Sequence, residues 1–145
     1  MSGFHMVLGI AVLAANALAA GWGAVAWLRK DARGSIVFWP LLRTAQAVVV
    51  VQVIVGALLL ARGASAPDGL HVAYGIAPLL ISLFSEGMRV GVAQRELDGV
   101  EDLEALERSE QATLARRVVL GEMGVMTVGA LLILTLSLRA MQTGG

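Results

Sequence analysis

The chain has 145 residues, 57% of them hydrophobic and only 15% charged, and its 11 basic and 11 acidic side chains cancel to a formal net charge of zero. Soluble domains carry about 25% charged residues, so this composition excludes an ordinary water-soluble domain, and zero net charge offers no basic field to nucleic acid. With no cysteine there are no disulfides, thiolate metal sites or iron–sulfur clusters.

Four apolar runs, about 3–28, 35–61, 70–91 and 113–139, each reach the roughly 20 residues that a helix needs to cross a hydrocarbon core. The connections are short, which predicts a single membrane domain over 1–145: an all-α integral membrane protein folded as a four-transmembrane-helix up-down bundle. Its first partner is the lipid bilayer, and its expected place is the cell membrane.

Residues 1–4 carry no positive side chain, and the first run is too long for a signal-peptide core, so it reads as a retained span. At 100° per residue, His5, Gly9, Asn16 and Gly23 share one face of it. Ala15, Ala19 and Gly23 add a series of small residues that lets a neighbouring helix approach closely. The first loop holds Arg29, Lys30 and Arg33, flanked by Trp22, Trp27, Phe38 and Trp39 as an aromatic belt. In the second span Gln52 and Gly56 align, and Arg43 and Gln46 lie toward the loop. Arg62 follows the span.

The third span aligns His71, Gly75, Pro78, Ser82 and Arg89, with Ser85 and Glu86 beside them, and Gly87 with Gly91 forms a GxxxG pair. Seven carboxylates (Glu96, Asp98, Glu101, Asp102, Glu104, Glu107 and Glu110) then crowd into a connection of about 95–112. It reads as a solvated surface helix running into the fourth span, where Glu122, Met126 and Gly129 align. Polar side chains are costly against lipid, so all four stripes are expected to face the bundle interior.

The pattern G-x-H-x-x-x-G-I-A occurs twice, around His5 and around His71, and these are the only histidines. The block Val-Gly-Ala-Leu-Leu at 55–59 recurs at 128–132. Together they predict a duplicated two-helix unit, repeat one about 3–61 and repeat two about 69–134, related by an axis along the membrane normal. The basic residues of the first and third connections outnumber those at the other end, which predicts those connections inside and both termini outside.

Two candidate sites follow. His5 and His71 start two helices of the same direction at similar depth, each above a glycine (Gly9, Gly75) one turn further along. Two axial imidazoles from facing helices with small residues beneath them suit haem b, with Arg62 as a counter-charge for its propionates. In plan this resembles small membrane cytochromes of the b type, a resemblance that implies electron transfer. The same two histidines are also the candidate ligands for any other metal; Met6 adds a thioether for copper but points about 100° away. The second site is an intramembrane charge cluster of Arg43, Glu86, Glu122 and Gln46, where a charge needs either a function or a neutralising partner. No catalytic constellation is visible, so any redox role depends on a bound cofactor. The other reading is a non-catalytic accessory, assembly or stabilising subunit whose partner is a larger membrane complex or a second copy of the chain.

Overall fold

Where water is absent, an apolar run satisfies its backbone only by bonding within itself, and helices follow from that requirement. The computed structural model of the protein describes residues 3–66 and 69–143. Met1, Ser2, Gly144 and Gly145, and with them the expected outside placement of the termini, lie outside the described residues, as do Pro67 and Asp68 in the second loop. The elements are α1 (Gly3–Leu28), a 3₁₀ turn (Ala32–Gly34), α2 (Ser35–Ala61), α3 (Gly69–Leu97) and α4 (Arg108–Thr143). All four helices are long and apolar enough to cross a membrane.

Local chemistry closes the first hairpin. Lys30 takes a left-handed conformation (φ 52°) at the end of α1. The Asp31 N–H then donates to Ala26 O at 2.9 Å and the Lys30 N–H to Trp27 O at 3.0 Å, satisfying the last carbonyls of the helix. The Asp31 carboxylate accepts the Arg33 N–H at 3.0 Å, and the Trp22 indole donates to Gly34 O at 2.9 Å. The chain reverses tightly, and α2 returns antiparallel to α1.

The third connection differs from expectation. The sequence predicts a helix across about 95–112, but α3 continues to Leu97, α4 starts at Arg108, and 98–107 is a series of turns. Gly99 sits at φ 86°, a conformation that breaks a helix. The carboxylates that follow would repel one another at helical spacing, and Asp102 instead accepts the Glu104 N–H at 2.9 Å. The Glu107 N–H donates to the Glu110 carboxylate at 3.2 Å, one half of a capping box that begins α4.

α1 packs on α2 and α4, α3 packs most extensively on α4, and the α2–α3 seam is the sparsest between neighbours. Helices α1 and α3 stand on a diagonal. The core near the turns is built from Ala19, Ala20 and Ala26 of α1, Phe38, Leu42 and Ala45 of α2, and Met123, Met126 and Ala130 of α4. Towards the histidines, Val12, Val49 and Ile133 form a second apolar layer. Phe38 is 0% exposed, so it belongs to the core and not to the aromatic belt. It is seated there because Gly23 has no side chain: a Cβ at Gly23 would collide with the Phe38 ring and with Thr127. Gly124 admits Trp27, and Gly129 admits Ser85, in the same way. The GxxxG pair does not form a helix contact, since a Cβ at Gly87 or Gly91 meets nothing within 4 Å. Large apolar side chains such as Leu28, Ile36 and Phe84 are exposed, as lipid-facing surface requires.

The interior stripes fall where the helical spacing puts them. Asn16 is 1% exposed, its side-chain amide donating to Val12 O at 2.9 Å, and Ser82, Ser85 and Met126 are buried. The two hairpins nonetheless differ in register. Gly56 lies opposite His5 across α1–α2, whereas Gly129 lies opposite Ser85 across α3–α4, well along the helix from His71. The histidine motifs therefore share a depth, and the two Val-Gly-Ala-Leu-Leu blocks do not.

Candidate functional sites

Helices α1 and α3 each enter the bundle at the end away from the turns, and each carries its histidine within its first turn. The rings of His5 and His71 meet across the diagonal with centroids 6.2 Å apart and planes inclined at 61°. Both side chains are partly buried. Gln52, from α2, places its amide nitrogen 3.3 Å from His5 Nε2. The amide oxygen of Gln52 is buried with no hydrogen-bond partner among the described residues.

The glycines around this pair do different jobs. A Cβ on Gly56 would come within 3.3 Å of His5 Cε1, and one on Gly9 within 3.7 Å of Gln52 Nε2, so both give room to the His5–Gln52 contact. A Cβ on Gly75 would meet nothing within 4 Å, which leaves open space on the α3 side. That side borders the loosely packed α2–α3 seam. Arg62 caps α2 at the same end, exposed, with its own N–H bonded to Leu58 O at 3.1 Å. Met6, the candidate third ligand for copper, is exposed, and among the described residues no group of three or more His, Asp or Glu side chains converges on a point. The site is thus two imidazoles, one carboxamide and unfilled space beside Gly75.

The charged residues form the other site, in the half of the bundle near the turns. Glu86 is central. Its Oε1 accepts from Arg43 and from the Gln46 amide (2.9 Å), and its Oε2 accepts Arg89 Nε at 2.9 Å. Arg89 Nη1 continues to Glu122 Oε1 at 2.9 Å, and Arg43 Nη1 also donates to Gln46 Oε1 at 2.6 Å. Trp39 lies against both cations, with the Arg43 and Arg89 guanidinium carbons 5.6 and 5.4 Å from its ring centre. Two carboxylates and two guanidiniums cancel, so the cluster is neutral as a whole. All four residues singled out from the sequence meet here.

Sequence reasoning placed Arg89 on the correct face but left it out of the cluster, and it missed Trp39 and Gln52 as participants. The signals were present: Arg89 is three residues after Glu86, and Trp39 is four before Arg43, spacings at which side chains of one helix touch. The Arg43 side chain is 50% exposed, consistent with its position off the interior stripe of α2, yet its length carries the guanidinium round to Glu86. Chemically the cluster can clamp three helices together.

No protein-family model, curated protein or solved structure matches this chain.

Proposed function

We propose that this is a multi-pass protein of the cell membrane that binds one haem b between His5 and His71 and transfers electrons through it. The single observation that carries the reading is the facing imidazole pair on diagonal helices. Two imidazoles that share one metal ion must bring their ring centres to within about 6 Å of each other. The 6.2 Å between His5 and His71 agrees with that requirement.

When bound, haem would supply one-electron chemistry; the chain's part is to hold and surround it. His5 and His71 would hold its iron. Gln52 orients the His5 ring, as hydrogen-bond partners of ligating histidines generally do. Gly75 leaves space one turn along α3, Gly9 makes room for Gln52 beside His5, and Arg62 offers a counter-charge at the polar boundary. The apolar layer of Val12, Val49 and Ile133 separates this end from the charge cluster, which we assign to clamping the bundle. By the Lys/Arg asymmetry the turns face the cytoplasm and the histidines the outer side. We assign the duplication to α1 and α3, whose motifs share a depth.

The reading is tested by the haem content of protein purified in detergent from haem-replete cells. One haem per chain is expected. Haem-free protein from such cells would leave the non-catalytic accessory subunit as the better description.

A further inference from the structure

Outside both sites, the turn end carries a cleft of about 470 Å³ between the first turn and the start of α4. Lys30, Arg33 and Arg116 line it on the charged side, and Ala112, Ala115 and Val119 on the apolar side. We propose that this cleft seats the phosphodiester headgroup of an anionic membrane phospholipid.

Three observations support this assignment. First, the cleft collects three cations against a single acid, Asp31, and one oxygen of that acid is already occupied by the Arg33 N–H. Second, neither Lys30 nor Arg33 makes an ion pair, since every ion pair among the described residues belongs to the Arg43–Glu86–Arg89–Glu122 cluster. Arg116 is different: its Nη2 donates to Lys30 O at 2.9 Å, which fixes its guanidinium at the cleft and pins α4 to the turn. Third, the surroundings suit a lipid better than a soluble phosphate. Leu28 and Ile36, on either side of the turn, are 76% and 75% exposed, so acyl chains have apolar surface beside the charged wall. The depth is also right, because the turn joins the ends of two spans where headgroups lie.

Glu110 does not line the cleft, and its carboxylate accepts the Glu107 N–H at the start of α4. The carboxylates of residues 101–107 belong to the turns beyond the helix. A phosphodiester held by Lys30 and Arg33 gains charge-assisted hydrogen bonds that the fold itself leaves unmade.

Native mass spectrometry of detergent-purified protein, mixed with phosphatidylglycerol and phosphatidylcholine, tests the proposal. The wild type should retain phosphatidylglycerol selectively. Lys30→Gln/Arg33→Gln should weaken that retention roughly 30-fold, the loss of two cation–lipid contacts, without changing the lipid-free melting temperature. Arg29→Gln/Arg95→Gln removes two cations from the same end but outside the cleft, and it should retain the lipid. Equal loss in this control, or equal retention of phosphatidylcholine by the wild type, overturns the proposal. Inorganic phosphate that raises the melting temperature as much as phosphatidylglycerol would instead assign a soluble phosphate and overturn the lipid assignment.

Discussion

Arg89 Nη1 lies 2.9 Å from Glu122 Oε1, and this contact ties α3 to α4 at the level where Arg43 and Gln46 tie α3 to α2. Arg89 thereby links the tightest seam of the bundle to its loosest.

Arg89→Leu should therefore be the most damaging change in the cluster. It removes partners from Glu86 and Glu122 together, and the Glu122 side chain is only 16% exposed. Leaving a largely buried charge unpaired costs about 3–5 kcal/mol, and partial exposure puts this site at the lower end. Arg43→Leu leaves Glu86 its bonds to Arg89 and Gln46, and the Arg43 side chain is half exposed, so the loss should be about 1 kcal/mol or less. Thermal unfolding in detergent checks the order. A larger drop for Arg43→Leu than for Arg89→Leu would show that the cluster is not organised around Arg89.

Gly23→Ala should destabilise the bundle by about 1–3 kcal/mol, because its Cβ has nowhere to go between Phe38 and Thr127. Gly87→Ala meets open space and gains helix propensity, so its melting temperature should hold or rise. Equal behaviour of the two variants would mean that α1, α2 and α4 do not pack closely at this level.

Cysteines placed at Ser65 and Ser109 sit at opposite ends of the bundle, both exposed. If the turns face the cytoplasm as proposed from the Lys/Arg asymmetry, a membrane-impermeant reagent added to intact cells should label Ser65→Cys and spare Ser109→Cys. Reversed labelling would invert the orientation, and equal labelling from outside would break the four-span topology.

Gln52→Leu keeps the apolar volume of α2 but removes the hydrogen-bond partner of His5. Loss of such a partner typically weakens metal binding by 10–100-fold, so haem affinity should fall by that range while haem remains detectable at high concentration. Unchanged affinity would mean that Gln52 does not orient the His5 ring.

The sequence made the helices legible because membrane spans are marked by length and apolarity, and the stripes legible because a helix repeats every 3.6 residues. The meeting of Arg43, Gln46, Glu86 and Glu122 followed from their shared depth. Register between helices was less legible. The repeated block at 55–59 and 128–132 suggests equal depth, but the longer third connection changes which residues of α3 and α4 face each other, and only the packed structure reveals Gly129 opposite Ser85. The acidic connection is hard to read for a related reason: charge and spacing suggest a helix, while the Gly99 backbone and the Asp102 side chain favour turns. Phe38 looked like a belt residue because nothing in its own neighbourhood announces the vacancy that Gly23 leaves on another helix.

The central claim is that His5 and His71 together hold one haem, and the most direct measurement is the reduced-minus-oxidised absorption spectrum of the wild type, His5→Ala and His71→Ala. The wild type should give the Soret and α bands of a six-coordinate b-type haem, and each single substitution should abolish that six-coordinate signature without unfolding the bundle. A wild-type spectrum with no haem bands, or an unchanged spectrum in either histidine variant, would contradict the account.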